Sequence, residues 1–281
     1  MNTRSERYRR LCAAIGGKES VAVAFSGGVD SALVCAAAFD ALGGRAIAVT
    51  IMSPMLPARE IADAKRVADL IGIEHVLLQS PAIEDDVAVN PVDRCYHCKK
   101  HEFGAIIDYA KTRSVSAVLD GSNADDEGDY RPGLRAVAEL GVASPLRDAR
   151  LSKQDVRALS KERGLPIWDK PAFACLASRI PYGETIDVEK LAAVERAEAV
   201  LTEAGFRQAR VRRHGIPGGA LARIEVAPEE RDLFFDAALL DALSEKIKKT
   251  GFIYVAFELS GYTTGSMNAA LHIGGRNSGN G

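Results

Sequence analysis

A short turn rich in glycine and hydroxyl groups offers the clearest chemistry in this sequence. Residues 26–31 read Ser-Gly-Gly-Val-Asp-Ser and directly follow the apolar run from Val21 to Phe25. We predict that the run is a buried strand and that a helix begins in the turn, so that backbone N–H groups at the positive helix end bind an anion. Gly27 and Gly28 would let a phosphate approach closely, because glycine adopts positive φ values freely. The turn lacks the Gly-Lys-Ser/Thr ending of a Walker A loop and the spacing of a dinucleotide fingerprint.

The turn resembles the signature of the PP-loop ATP pyrophosphatases, enzymes that split ATP between its α- and β-phosphates and transfer AMP to an oxygen atom. The resemblance implies ATP and Mg²⁺ as cofactors, with Asp30 and Asp125 as the predicted magnesium ligands. An ordinary glycine turn is the alternative, but its Ser and Asp side chains serve phosphate and magnesium better than a plain connection. The groups assigned to ATP and pyrophosphate lie in the turn, at other strand ends and at a helix start: Ala24, Phe25, Ser26, Gly27, Gly28, Asp30, Ser31, Met52, Gly121 and Lys99.

Three cysteines form a second candidate site. Cys95 and Cys98 make a C-x-x-C pair near the start of a predicted helix, and Cys175 is the third. Three thiolates that meet at one point would bind three irons of a 4Fe-4S cluster and leave the fourth iron open. A zinc site completed by His97 or His101 and a redox-active pair are alternatives, as are cysteines that only fill a core.

An acidic loop follows a predicted strand end at residues 120–130. Asp125 or Asp126 would help to hold magnesium on the released pyrophosphate, and Glu127 would position the substrate. A solvated acidic turn is the alternative.

Arginines alternate along a later predicted strand. The period of two places Arg210 and Arg212 on the same face, where two guanidinium groups suit a phosphate or carboxylate substrate. Glu225, on the neighbouring predicted strand, would pair across to that face. Surface charges paired with acidic neighbours are the alternative.

The composition describes a chain that can bury a sizeable core. Of its 281 residues, 47% are hydrophobic, and the formal net charge of −2 disfavours binding to long nucleic acid. No apolar run approaches the ~20 residues of a membrane span, and the N-terminal stretch has no secretory pattern. Five cysteines without an export signal predict a reducing cytoplasm. Cys12 and Cys35 lie in apolar helical patterns and are expected to be small core residues.

Alternating strand and helix patterns over the first 180 or so residues predict an α/β fold with a doubly wound parallel sheet. The predicted strands are Val21–Phe25, Ala46–Ile51, His75–Gln79, Ala117–Asp120 and a weaker one near Gly141–Ser144. The predicted helices are Ser31–Leu42, Ala58–Ile71, Tyr96–Thr112 and Lys153–Gly164. Ligands of such sheets bind beyond the carboxyl ends of the strands, so the Ser26 turn, Met52–Pro54 and Gly121–Asn123 should converge on one crevice.

After residue 183 the pattern changes to that of a smaller α+β domain. The predicted helices of this domain are Val188–Ala204 and Pro228–Thr250, and its predicted strands are Ala209–Arg213, Leu221–Val226 and Ile253–Leu259. We predict a PP-loop domain at 1–182 and a small domain for substrate binding and oligomerisation at 183–272. The Gly-, Ser- and Asn-rich residues 273–281 are predicted to be a disordered tail.

Three stretches together resemble the LarE-type family of ATP-dependent sulfur transferases, over about residues 5–270. They are Ser26 to Ser31, the Asp-Gly-Ser-Asn and Gly-Asp-Tyr-Arg-Pro-Gly segments within 120–133, and Cys175 to Gly183. The last, Cys-Leu-Ala-Ser-Arg-Ile-Pro-Tyr-Gly, is the most specific. The resemblance implies that ATP adenylylates a carboxylate of pyridinium biscarboxylic acid mononucleotide, which sulfur then converts to a thiocarboxylate. The substrate contacts assigned on this basis are Glu127, Arg179, Arg210, Arg212 and Glu225.

The resemblance implies two forms of sulfur delivery. In one, a single cysteine at the position of Cys175 gives up its own sulfur and becomes dehydroalanine. In the other, three cysteines hold a 4Fe-4S cluster whose open iron carries an extra sulfide. Cys95 and Cys98, in addition to Cys175, match the cluster form, and we expect these three to be the catalytic and iron-binding residues.

Other functions stay open at this point. A PP-loop tRNA thiolase would also use cysteine sulfur, although no basic RNA-binding domain is evident. An ammonia-using amide ligase would have no use for three thiols, and a non-catalytic nucleotide- or metal-sensing protein is a further alternative. We expect a small nucleotide substrate, no long nucleic acid and no membrane. The resemblance implies a homo-oligomer, with a hexamer as the candidate assembly.

Overall fold

A computed structural model describes residues 3–128, 132–171, 174–263 and 266–268, with the backbone alone for residues 3–5, 127, 128 and 268. They fold into two compact units, Met1–Val87 with Pro91–Phe173, and Ala88–Asn90 with Ala174–Gly281. This division comes earlier in the chain than the limit predicted between residues 182 and 183, because the segment around Ser178 is hydrogen-bonded to a later strand. The predicted tail at 273–281 lies outside the described residues.

Helices and strands alternate through the first unit, as the sequence patterns predict. In the described residues, the α-helices of the chain are α1 (Thr3–Gly16), α2 (Val29–Leu42), α3 (Ala58–Ile71), α4 (Asp85–Ala88), α5 (Arg94–Thr112), α6 (Pro132–Glu139), α7 (Pro145–Asp148), α8 (Lys153–Glu162), α9 (Val188–Glu203) and α10 (Ala237–Lys248). The strands are β1 (Val21–Ala24), β2 (Ala46–Met52), β3 (Glu74–Gln79), β4 (Ala117–Leu119), β5 (Ala209–Ile216), β6 (Gly219–Val226) and β7 (Tyr254–Phe257). No helix among the described residues is both long and apolar enough to span a bilayer.

The first unit is built on a parallel sheet with the strand order β3-β2-β1-β4. The apolar side chains of β1 alternate between two cores, Val21 and Val23 on one face and Ala22 on the other. The first core includes Leu33 of α2, while the second includes Phe103 of α5. Helices therefore cover both faces, which confirms the predicted doubly wound α/β fold.

The weak fifth strand predicted near Gly141–Ser144 is reduced to one parallel bridge between Leu119 and Ala143. Pro145 begins α7 directly afterwards, and proline has no N–H with which to continue a strand ladder. The bridge still fixes the backbone next to the carboxyl end of β4.

The second unit contains a mixed sheet in which β6 pairs antiparallel with β5 and parallel with β7. The small α+β unit after the parallel sheet is therefore confirmed. The single helix predicted over Pro228–Thr250 is wrong, because a 3-10 segment, Pro228–Phe235, precedes α10. Asp236 separates them: its carboxylate accepts the Leu239 N–H at 3.2 Å and caps the new helix.

Candidate active site

The predicted phosphate-binding turn joins β1 to α2. The Ser31 hydroxyl accepts the Ser26 N–H at 3.3 Å and donates to the Gly28 carbonyl at 3.1 Å. The Oγ atoms of the two serines are 3.2 Å apart. Gly28 stands at the N-cap of α2 and provides no side-chain cap, so the turn leaves N–H groups at the positive helix end for a ligand.

Two glycines allow this turn to pack tightly. Gly27 has a φ of +75°, and a Cβ atom there would lie 2.9 Å from the Glu60 carbonyl oxygen. A Cβ atom on Gly121, after β4, would lie 2.8 Å from the Ser31 backbone nitrogen. Real Cβ contacts are longer than this, so both positions need glycine.

Asp30 connects the turn to two side chains from other segments. Its carboxylate accepts the Asn123 side-chain N–H at 3.1 Å and forms an ion pair with Lys153, the first residue of α8. Asp125, the other predicted magnesium ligand, accepts the backbone N–H of Lys153 at 2.8 Å. The first residue of α8 therefore links both predicted magnesium ligands. Asp126 instead accepts the Asn123 backbone N–H at 2.9 Å, which stabilises the loop.

Sequence reasoning missed Lys153 and Asn123 as parts of this network. Lys153 was visible only as the start of a predicted helix, and Asn123 only as part of a loop motif. A lysine directly after the Ser152 cap was the available signal, since the capping box fixes the helix start. What places it beside Asp30 is the packing of α8, which the sequence pattern does not reveal.

Backbone groups predicted to meet the nucleotide lie at neighbouring strand ends. The Phe25 N–H donates to the Val49 carbonyl at 2.8 Å, and the Phe25 carbonyl accepts the Thr50 hydroxyl at 2.6 Å. The Thr50 oxygen then accepts from His75 Nε2, 2.8 Å away. Burial lowers the pKa of His75, so its ring stays neutral with the proton on Nε2.

Ala24 and Met52, also predicted to contact ATP, end β1 and β2 and are half-buried. Together with Ser26 and Gly121 they lie at the carboxyl edge of the parallel sheet, where ligands of such folds bind. The predicted ATP contacts at the strand ends therefore lie together at the carboxyl edge of the parallel sheet.

Cys95 and Cys98 lie in the first turns of α5. Cys95 is exposed, Cys98 is half-buried, and the Cys98 thiol donates to Glu102 at 3.4 Å. Glu102 also accepts from Lys99 at 2.9 Å, and this carboxylate raises the pKa of Lys99. Lys99 therefore stays charged, but its nearest anion is Glu102 of the same helix.

The two histidines beside the cysteines have another partner. His97 Nδ1 and His101 Nε2 each lie 2.9 Å from an oxygen of Asp86. The alternative that either completes a zinc site with the thiols receives no support, since both rings share this carboxylate.

Cys175 is half-buried in the second unit, where it is the N-cap of a 3-10 turn, Leu176–Arg179. Arg179 is fully buried and makes a bidentate ion pair with Glu198, at 2.8 and 3.1 Å. The same guanidinium group donates to the carbonyl oxygen of Cys175 at 2.9 Å. Arg179 therefore fixes the backbone that carries the thiol, which identifies it as a positioning residue.

Asn90 stabilises the turn that follows this segment. It is fully buried, with a φ of +54°, and its amide donates to the carbonyls of Pro181 at 2.7 Å and Glu184 at 3.1 Å. Sequence reasoning missed Asn90, since nothing near it in the chain indicates a contact with residues some ninety positions later.

One face of the second sheet carries the predicted arginines. Arg212 makes an ion pair with Glu225 at 2.7 Å and donates to the Ser178 carbonyl at 3.1 Å. Arg210 pairs in register with Glu225 across the sheet, and burial, with Arg179 nearby, lowers the pKa of Arg210 to about 10. These charges are buried rather than on the surface. Desolvation by burial is the larger cause of this lowered pKa, and the positive charge of Arg179 is the second.

The same face continues to Arg223 and His214. Arg223 forms ion pairs with Glu225 at 2.9 Å and Glu258 at 2.7 Å, and its Nε donates to His214 Nε2 at 3.1 Å. Burial and the Arg223 charge lower the pKa of His214. The charged face thus extends from the Cys175 segment across two strands. The Glu127 side chain, predicted to contact substrate, lies outside the described side chains.

The donor chemistry fits the two predicted metal groups in part. Carboxylate oxygens of Asp30 and Asp125 suit Mg²⁺, which takes most of its ligands from phosphates and water. Cys95, Cys98 and Cys175 are free rather than in disulfides, so each is available to bind iron as a thiolate. Among the described residues, however, no group of three or more His, Cys, Asp or Glu side chains is arranged to hold a metal ion.

Comparison with known proteins agrees with this geometry. The asparagine synthase family model matches residues 14–125, which include the phosphate-binding turn. An uncharacterised protein, slr1717, of Synechocystis sp. is 43% identical over 257 residues, 91% of this chain and 94% of the relative. The pyridinium-3,5-bisthiocarboxylic acid mononucleotide synthase of Lactiplantibacillus plantarum, LarE, is 38% identical over 273 residues, 96% of this chain and 97% of the relative. This chain belongs to the LarE-type family.

As a LarE-type protein with a PP-loop domain, the chain is an ATP-dependent sulfurtransferase. The similarity extends to another sulfur-transferring family: the tRNA-specific 2-thiouridylase MnmA of Cereibacter sphaeroides is 28% identical over 222 residues. That match covers 64% of this chain and 58% of the relative, whereas the LarE match covers nearly all of both chains.

Proposed function

We propose that this LarE-type enzyme adenylylates one carboxylate of pyridinium biscarboxylic acid mononucleotide and exchanges AMP for sulfur, leaving a thiocarboxylate. The observation that carries the proposal lies in the second unit. The backbone of the Cys175 segment is bonded to Arg179 and Arg212, so a thiol and an arginine-rich face share one framework. A mononucleotide with two carboxylates is the kind of anion that such a face binds.

In the first step, a substrate carboxylate oxygen attacks the α-phosphorus of ATP, and the bond to the pyrophosphate oxygen breaks. The N–H groups at the start of α2 and the Ser26 hydroxyl would bind the phosphates. When ATP binds, Lys153 would move from Asp30 towards the β- and γ-phosphates, whose negative charge its ammonium group can pair with. Asp30, released from this ion pair, would be free to accept a cation.

Mg²⁺ would be held by Asp30 and by phosphate oxygens. Asp125 would be a further ligand, since it binds the backbone of Lys153, the residue whose side chain pairs with Asp30. When bound, the metal ion would neutralise charge on the phosphates during the displacement. The ion pair between Asp30 and Lys153 supports this, because it shows that the position already accommodates a cation beside the turn.

In the second step, sulfur attacks the activated carboxyl carbon, and the bond to the AMP oxygen breaks. Adenylylation is required because an unactivated carboxylate offers only oxide as a leaving group. Arg210 and Arg212 would hold the anionic substrate next to the Cys175 segment, while Arg179 positions that segment. Glu225 would orient Arg212 through their ion pair.

For sulfur delivery, we propose that Cys95, Cys98 and Cys175 are ligands of a 4Fe-4S cluster. A cluster held by three cysteines leaves one iron without a protein ligand. A sulfide bound to that iron would be the sulfur supplied to the substrate. The proposal is supported by the exposed position of Cys95 and the half-buried positions of Cys98 and Cys175, which leave all three thiols accessible to iron. A cytoplasmic homo-oligomer stays a prediction.

The decisive experiment measures iron and acid-labile sulfide in protein reconstituted without oxygen, followed by mass spectrometry of the product formed with ATP and substrate. We expect about four irons and four sulfides per chain. Cys95→Ala should lose the cluster and multiple turnover, whereas Cys12→Ala, at a half-buried core position, should keep both.

Three results would separate the parts of this proposal. Full turnover by iron-free Cys95→Ala would exclude the cluster. Conversion of Cys175 to dehydroalanine, with one thiocarboxylate formed per chain, would show sacrificial transfer of the Cys175 sulfur instead of delivery by a cluster. The proposed substrate would then still hold. Absence of AMP formation with this mononucleotide would refute the proposed substrate.

A further inference from the structure

A cleft of about 480 Å³ in the first unit is not used by the proposed reaction. It is lined by Ala124, Arg147, Asp148 and Arg150. The Arg147 N–H donates to the Ser122 carbonyl at 3.1 Å, and the Ala124 N–H donates to the Leu151 carbonyl at 2.9 Å. The cleft is therefore bounded by two segments that are hydrogen-bonded to each other, the loop after β4 and the residues around the end of α7.

This cleft lies beside the nucleotide turn but is separate from it. Asn123 directs its side chain to Asp30 in the turn, while the next residue, Ala124, lines the cleft. The loop after β4 thus separates the two regions.

The positive charge of the cleft is not compensated by the described residues. Arg147 and Arg150 have no side-chain hydrogen bond or ion pair among them, although other arginines of this unit do, such as Arg163 with Asp40 at 2.8 Å. Asp148 is the single carboxylate among the lining residues, so one positive charge is in excess. Two guanidinium groups with open donors suit an oxyanion, which accepts several hydrogen bonds at once.

The backbone of Arg150 gives an independent indication. Its φ is +53°, a left-handed conformation, and it closes the end of α7 through a 2.8 Å hydrogen bond to the Arg147 carbonyl. Glycine is the usual residue at such a position, and Gly141 and Gly164 occupy comparable ones, with φ values of 67° and 77°. An arginine is unfavourable for this backbone, so a role of the side chain would explain its presence.

We propose that Arg147 and Arg150 form a binding site for a small phosphate-type oxyanion, such as pyrophosphate or phosphate. The cleft is large enough for pyrophosphate, and its donors match phosphate oxygens in number and kind. This site does not depend on the identity of the sulfur acceptor.

The test is isothermal titration of the full chain with inorganic pyrophosphate and, separately, inorganic phosphate. The nucleotide turn is first filled with α,β-methylene-ATP, an analogue that cannot be cleaved there. Wild type should still bind one oxyanion per chain. Arg147→Gln and Arg150→Gly should each weaken this binding by about ten-fold, while affinity for the analogue stays within about two-fold.

Arg150→Gly keeps the test free of folding artefacts. Glycine adopts the left-handed conformation readily, so the melting temperature should stay within about 3 °C of wild type. Arg66→Gln is the control for loss of one positive charge elsewhere in the unit, because Arg66 is exposed and lies on α3. No oxyanion binding by the filled wild type, or equal weakening in Arg66→Gln, would overturn the proposal.

Discussion

At the scale of single residues, the partner of a side chain decides its chemistry. Asp30 and Arg179 were both assigned to ligands from the sequence. In the folded chain, Asp30 pairs with Lys153 at the edge of the nucleotide turn, whereas Arg179 is buried on Glu198 and holds the Cys175 backbone. The first can exchange its partner for a metal ion or a phosphate-bound cation. Arg179 cannot leave Glu198 without leaving two buried charges unpaired, so it acts by positioning the Cys175 backbone.

His75 provides a prediction for pH-dependent stability. Burial lowers its pKa in the folded chain, so between that pKa and the unfolded value of about 6.5 the unfolded chain binds more protons. Stability should therefore fall as the pH drops below about 6.5. His75→Gln keeps an N–H donor for Thr50 without a titrating ring, and should make the loss of melting temperature between about pH 7.5 and 5.5 smaller.

The control for this prediction is His101→Gln, since His101 lies on the surface beside Asp86 and not beneath the nucleotide turn. His214 should leave a residual slope of the same sign, because burial and Arg223 lower its pKa too. If the melting temperature of His75→Gln falls with pH as steeply as that of the wild type, burial of the His75 ring does not contribute to the pH dependence of stability.

At the scale of elements, close contact between strand ends and a helix start shapes the candidate site. Gly121, after β4, lies against the backbone of Ser31 at the start of α2. Gly121→Ala would bring its Cβ atom 2.8 Å from the Ser31 nitrogen, so the loop or the helix must shift. We expect a loss of about 1–3 kcal/mol in the free energy of unfolding and a higher Kd for ATP, measured by denaturation and by titration.

The matched control is Gly104→Ala, inside α5, where nothing lies within 4 Å of an added Cβ atom. This exchange should be neutral or stabilise the helix by up to about 1 kcal/mol. If both variants behave alike, the contact between Gly121 and α2 does not determine the shape of the turn.

At the scale of the whole molecule, the nucleotide turn and the Cys175 thiol, which serve the first and the second proposed step, belong to different units. The nucleotide turn belongs to the first unit, and Cys175 with the arginine face belongs to the second. Asp30→Asn should therefore lower substrate-dependent ATP–pyrophosphate exchange by about 100-fold and leave the Cys175 thiol intact. Cys175→Ser should keep exchange within about two-fold of wild type and abolish thiocarboxylate formation.

The measurements are isotope exchange into ATP and mass spectrometry of the product. Asp108→Asn, at an exposed position on α5, serves as the control for loss of a carboxylate. Loss of exchange in Cys175→Ser, with an unchanged melting temperature, would show that the thiol takes part in adenylylation and would contradict the division of steps.

Local patterns in the sequence were sufficient for much of the fold. The first β-α unit consists of the apolar run before Ser26, the glycine turn and the helix after it, and backbone conformation and burial specify it locally. The bounds predicted for α3 agree with the structure at both ends. Prediction failed at Pro228–Thr250, where a cap at Asp236 interrupts an apolar pattern that continues on both sides. A helical period alone does not show where the backbone changes hydrogen-bond partners.

The sequence by itself determined the family, the phosphate-binding turn and the residue types available for sulfur chemistry, because these depend on neighbouring residues along the chain. Only the tertiary structure decided which charges meet. Lys153 reaches Asp30 from 123 positions away, and Asn90 reaches the Pro181 carbonyl from 91 positions away. Such contacts arise when packed helices and strands bring distant segments together, because a charge that becomes buried is stable only beside a partner.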